Sequence, residues 1–132
     1  MYSFHVKTRA RTDFVNITNQ IKKFVKKSAI SSGIVTVFVP HTTAAVTINE
    51  GADPNVVKDV GKELNKVIPW DDNYTHNEGN SAAHIKSSLI GASERIIIEN
   101  GSLVLGTWQA VFFCDFDGPR TRKVYLEIIK KN

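Results

Sequence analysis

The sequence predicts a single α+β domain over residues 1–132: a mostly antiparallel, sandwich-like arrangement of about six or seven strands with three helices. Three features carry that prediction. β-branched and aromatic runs in the second half are joined by turn signals such as Asn100-Gly101 and Asp117-Gly118-Pro119, without the intervening helices that parallel pairing requires. Segments 18–29 and 54–68 place apolar residues at helical spacing behind capping residues. No glycine-rich phosphate fingerprint follows a strand, so a doubly wound nucleotide fold is not expected.

In chain order, residues 2–10 alternate Phe4, Val6 and Thr8 against Ser3, His5 and Lys7, the pattern of a half-buried strand. Thr18 is the expected N-cap of the first helix, whose Ile21, Phe24, Val25 and Ala29 oppose a lysine face and which Ser31-Ser32-Gly33 ends. Residues 34–39 are too apolar for an exposed strand and too few for a helix, which predicts a central strand ended by Pro40. His41-Thr42-Thr43-Ala44 is a turn or bulge before residues 45–49 resume the strand pattern. Asp53 caps the second helix, with Pro54 at its first position, and Val56, Val57, Val60, Leu64, Val67 and Ile68 trace a core-covering stripe up to Pro69. Gly61 within it costs about 1 kcal/mol relative to alanine, which points to a close backbone approach. The loop 70–75 suits a lid over a site as well as it suits a surface turn. Asn80 is the N-cap of a helix over 81–90 closed by Gly91, with Ala82, Ile85 and Leu89 as its stripe and His84 and Ser88 on another face. Residues 94–99, a return over 102–105, a long apolar strand over 107–115 and a last strand over 122–129 complete the chain.

Composition narrows the function. A hydrophobic fraction of 42% and a charged fraction of 23% describe a globular protein, and no apolar run reaches membrane-spanning length. Residues 1–7 alternate like a strand and lack the order of a signal peptide, so the expected location is cytoplasmic. The single cysteine, Cys114, lies in an apolar run and is expected to be an inert core thiol. Much of the net charge of +4 comes from Lys22, Lys23, Lys26 and Lys27, a solvated helix face with only Phe24 among them, so neither nucleic acid nor a membrane is an expected partner.

Polar chemistry concentrates between His76 and His84, around Gly79 and Asn80. His41, His76 and His84 are candidate ligands for a divalent metal, zinc or magnesium, with a position left open; equally, each satisfies a local hydrogen bond. Glu50, Asp115 and Asp117 end predicted strands, where a carboxylate serves as a general base or a metal's outer shell, or simply as a turn residue. Arg120 either grips a phosphate or pairs with Asp115 or Glu99. Thr42 and Thr43 invite a nucleophile reading, but no base or oxyanion hole is evident for them. Trp108 and Gln109 offer a stacking face and an amide for a planar ring, against the alternative of a core tryptophan beside a surface glutamine. Asn49 and Asn80 complete the candidate substrate-binding set.

Pro40-His41-Thr42-Thr43-Ala44, Asn49-Glu50, Thr75-His76 through Gly79-Asn80, Ala83-His84, Gly106-Thr107-Trp108-Gln109 and Asp115-Phe116-Asp117-Gly118-Pro119-Arg120 together resemble the YjbQ family of small bacterial and archaeal proteins, over nearly the whole chain. The resemblance implies an α+β homotrimer with polar pockets near subunit boundaries and a metal or anion held by His41, His76 and His84. It also implies a secondary thiamine-phosphate synthase activity, joining hydroxymethylpyrimidine diphosphate to thiazole phosphate with release of diphosphate. Glu50, Asp117 and Arg120 are the expected catalytic groups. The alternatives are a metal-dependent hydrolase or lyase of a small phosphorylated metabolite, and a trimeric binding module without turnover.

Overall fold

A computed structural model describes residues 1–132 as eight strands and three helices. Strands β1 (Tyr2–Lys7), β8 (Thr121–Lys130), β3 (Gly33–Phe38), β5 (Ser93–Glu99) and β6 (Ser102–Leu103) form one sheet in that order, and β2 (Asp13–Asn16), β7 (Gln109–Asp115) and β4 (Ala44–Glu50) form a second. Every pairing is antiparallel. The helices are α1 (Thr18–Ser28), α2 (Pro54–Val67) and α3 (Ser81–Ile90).

The inward residues of the larger sheet, Val6, Val35, Val37, Ile96, Ile98, Val124 and Leu126, meet Val46, Val111 and Phe113 of the smaller sheet and Ile17, Ile21 and Val25 at α1 in one core. The other face of the smaller sheet, Ala45, Ala110, Phe112 and Cys114, packs with Phe116 and with Val57 and Leu64 of α2 and Ala83 and Ile90 of α3. β7 is therefore covered on both sides, which is why its sequence runs apolar without alternation. Cys114 is fully buried, and burial pushes its thiol well above the ordinary range, as expected of an inert core group. The outer face of the larger sheet is uncovered, leaving Ile34, Phe38, Ile97 and Ile129 exposed.

Several sequence expectations shift. Strand β2 went unread because four residues with adjacent Phe14 and Val15 show no period. The cap position of α1 is Ile17, one residue before the expected Thr18, and Asn16 Oδ1 accepts the Thr18 N–H at 3.0 Å, while Thr18 Oγ1 accepts the Val111 N–H at 2.9 Å. Helix α2 starts at Pro54 behind Asp53, whose carboxylate accepts the Asn55 N–H at 2.9 Å, but it covers the core loosely, with Val67 exposed and Gly61 its one buried residue. Gly61's neighbour is Phe14: a Cβ there would stand 3.1 Å from Phe14 Cε2. In α3 the buried residues are Ala82, Ala83, Lys86 and Ser87, whereas Ile85 and Leu89 are exposed. The physical reason is the contact of Ala83 with the smaller sheet, which draws the helix close and turns the larger aliphatic residues outward. Lys86 spans this layer so that its ammonium donates to Asn65 Oδ1, and burial, with Arg11 nearby, lowers its pKa. Strand β7 begins at Gln109, which leaves Trp108 on the preceding turn, 64% exposed and not in the core.

Candidate functional site

Strand ends deliver the site. β3 and Val39 run into Pro40, after which the chain crosses from the larger sheet to the smaller one, and the crossing segment carries His41, Thr42 and Thr43. β7 ends beside it at Asp115, paired with Ala44, and leads through Asp117 and Arg120 into β8 at Arg122. The N-terminus of α3 closes the third side with Asn80 and His84, and the preceding loop adds His76 and Glu78. The resulting cavity of about 480 Å³ is lined by polar and charged residues apart from Pro40.

A buried ion pair forms its floor. Asp115 is fully buried; its Oδ1 lies 2.7 Å from an Arg122 terminal nitrogen and its Oδ2 accepts from Arg122 Nε at 3.1 Å. Thr8 Oγ1 donates to Asp115 at 2.7 Å and the Asp117 N–H at 2.9 Å, so the carboxylate is saturated and unavailable as a base. Burial alone would push the Asp115 pKa up, but the hydrogen bonds from Arg122, Thr8 and Asp117 outweigh it and hold it below its ordinary value. Arg122 also donates to Thr43 Oγ1 at 2.8 Å, and because that oxygen is thereby an acceptor, the Thr43 hydroxyl proton is left to point elsewhere. Arg122 is a site residue that no motif marks, but the strand pattern does: Arg122, Val124 and Leu126 share the inward face of β8, and an arginine on that face needs a buried partner.

Above this floor Asp117 Oδ2 accepts from Asn80 Nδ2 at 2.9 Å and from Arg120 at 3.3 Å, while Arg120 Nε donates to the Asp117 carbonyl at 2.9 Å. Arg120 therefore pairs with Asp117, not with Asp115 or Glu99, and it is half exposed with further N–H groups to offer. The Asn80 amide is fixed by Asp117, and its buried Oδ1 has no partner. His76 and His84 stand edge to face with ring centroids 5.4 Å apart.

His41 is committed differently. Its Nε2 accepts the Lys123 backbone N–H at 2.9 Å, so the neutral ring carries its proton on Nδ1 and acts as a hydrogen-bond donor. Burial, reinforced by the Arg122 charge, lowers its pKa and keeps it neutral. A ring with one nitrogen accepting and the other protonated has no lone pair for a metal. The three histidines thus share one cavity but do not fit a three-imidazole metal site, and no three His, Cys, Asp or Glu side chains are grouped closely enough to hold an ion.

The remaining candidates lie elsewhere. Register pairs Ala44 with Asp115 at one end of β4/β7 and Glu50 with Gln109 at the other, a separation of roughly 20 Å at about 3.3 Å per residue. Within one chain, Asn49, Glu50, Trp108 and Gln109 therefore do not join the histidine cavity. Asn49 Oδ1 accepts the Glu50 N–H at 2.8 Å and Glu50 accepts the Asp53 N–H at 3.0 Å, both local turn bonds.

The chain matches the model of the family described as UPF0047 protein YjbQ-like over residues 2–131. It is 47% identical to the UPF0047 protein YugU of Bacillus subtilis over 128 residues, covering 96% of this chain and 97% of that one. It is 50% identical over 129 residues to the UPF0047 protein MJ1081 of Methanocaldococcus jannaschii, covering 98% and 94%. Among solved structures, an uncharacterized YjbQ/UPF0047 protein of Clostridium acetobutylicum superposes with a TM-score of 0.96 at 53% identity, over 98% of this chain and all 100% of that one. The hypothetical protein APE1520 of Aeropyrum pernix superposes with a TM-score of 0.94 at 35% identity, covering 98% of each chain. Motifs, fold and these likenesses agree: the chain belongs to the YjbQ/UPF0047 family.

Proposed function

We propose that the histidine cavity binds the phosphoryl group of a small phosphorylated metabolite, and that the protein is a transferase of the secondary thiamine-phosphate synthase type, releasing diphosphate. The observation that carries the reading is the donor inventory of the cavity. Arg120 and Arg122 have N–H groups beyond those already bonded, the Thr43 proton is free, and His41 presents Nδ1–H. Such a set suits an oxyanion, and in a cavity of mainly polar lining it suits a phosphate or diphosphate in particular.

In this reading Arg120 and Arg122 hold the departing diphosphate and His41 donates to it, a neutral hydrogen-bond donor needing no change of charge. Asp117 keeps Arg120 and Asn80 in place and is the carboxylate nearest the chemistry; Glu50 has no part in it. Metal expectation and anion reading part here: elemental analysis showing near-stoichiometric metal that disappears on replacing His41, His76 and His84 with alanine would replace this reading with a metal-centred one. The activity itself is tested by supplying hydroxymethylpyrimidine diphosphate and thiazole phosphate and following diphosphate. Release that depends on both substrates and on Arg120 supports the transferase. Release from the diphosphate alone, with water consumed, favours the hydrolase reading, and binding without turnover favours the binding module.

We further propose a homotrimer. The uncovered outer face of the larger sheet, with a row of Ile97, Ile34 and Ile129 across β5, β3 and β8 and with Phe38 stacked on Tyr125, is an apolar patch of the kind that neighbouring subunits cover. Light scattering that gives a monomer mass across a wide concentration range would refute it.

A further inference from the structure

At the far end of β4/β7 a groove of about 720 Å³ lies between the turn that carries Trp108 and the start of α1. We infer that this groove is a second ligand site, for a flat heteroaromatic ring bearing a phosphate, of the size of a nucleoside monophosphate. Its volume falls in the range of small-molecule sites.

The aromatic wall is Trp108, 64% exposed on a turn that is pinned at both ends. The Gly106 N–H donates to Gln109 Oε1 at 2.8 Å, the Gln109 N–H to the Gly106 carbonyl at 3.1 Å, and the Gly51 N–H to the Trp108 carbonyl at 2.8 Å. An indole shown to solvent on a turn held by three hydrogen bonds is a preorganised stacking face, with little ordering left for a ligand to impose. Lys22 and Lys23 line the same groove, and neither takes part in an ion pair. Asn16 adds a directed donor: its Oδ1 accepts both the Thr18 N–H and the Thr18 hydroxyl, which fixes the amide and leaves Nδ2 free. No carboxylate lines the groove, since the nearby Glu50 is turned to the Asp53 N–H. Cations, an amide and an indole lining one groove suit an anion attached to a ring. Within one chain this groove lies roughly 20 Å from the histidine cavity.

The test is a fluorescence titration of the full-length protein with AMP, beside adenosine and inorganic phosphate. Trp70, held under the Arg11 guanidinium at 4.0 Å, is a constant background, and Trp108→Phe assigns the signal. The expected result is acrylamide-accessible Trp108 in the free protein, saturable quenching by AMP, and binding of adenosine and of phosphate weaker by about tenfold or more. The Lys22→Ala/Lys23→Ala variant, altered only on the surface, should lose about tenfold in AMP affinity. Overturning results are absence of saturable quenching, equal affinity for AMP and adenosine, an AMP affinity unchanged in the double lysine variant, or Trp108 shielded from acrylamide without ligand, which would mean that another copy of the chain covers it.

Discussion

Asp115→Asn tests the ion pair on which the cavity rests. The carboxylate is fully buried and accepts four hydrogen bonds, two from Arg122 and one each from Thr8 Oγ1 and the Asp117 N–H. The amide keeps the shape but removes the charge, and its NH₂ meets donors where the carboxylate met them as an acceptor. A buried guanidinium without a counter-charge costs about 3–5 kcal/mol, a large part of the roughly 5–15 kcal/mol that holds a domain together. For a domain of this size the shift in melting temperature is roughly 10–20 °C. Denaturant unfolding at fixed protein concentration measures it. The pH dependence gives a second readout: because the folded pKa of Asp115 lies below its unfolded value, its contribution is complete above the unfolded value and is lost as pH falls through the folded one. Wild-type stability should therefore fall on acidification more steeply than that of Asp115→Asn. A loss below about 1 kcal/mol, the scale of an exposed pair, together with parallel pH profiles, would refute the assigned role.

Gly61→Val should destabilise by about 1–3 kcal/mol despite the better helix former, because its Cβ meets Phe14, whose ring is itself held edge-on against Phe116; chemical denaturation checks it. Gly101→Val should cost about 1 kcal/mol or more, since Asn100 and Gly101 both sit at positive φ in the β5–β6 hairpin turn, and a neutral result would contradict the turn geometry. Cys114 should resist thiol reagents in the native protein and react fully on unfolding; rapid native labelling would show that the core opens there.

The strands and helices with a clean period were legible in the sequence: the strand expected over 34–39 and the helix expected over 54–68 stand within one residue of those bounds, and the Asn100-Gly101 hairpin stands where turn chemistry puts it. What escaped depended on partners distant in sequence. The burial of Lys86 in place of Ile85 follows from how closely Ala83 lets α3 approach the smaller sheet, which no local period encodes. The site was half legible. His41, His76, Asn80, His84, Asp117 and Arg120 do converge, but Asn49, Glu50, Trp108 and Gln109 lie at the far end of β4/β7, and only register reveals that. The hydrogen bond that decides the role of His41 comes from the backbone of Lys123, 82 residues away, and a backbone donor leaves no trace in residue identity.

The most direct measurement of the central claim is a calorimetric titration of inorganic diphosphate into the wild-type protein and into Arg120→Ala. Arg120 is half exposed, so its removal should leave the melting temperature nearly unchanged. The account predicts saturable binding to the wild type at the histidine cavity, weakened about tenfold or more in the variant. Equal binding by the two proteins, or none by either, would contradict it.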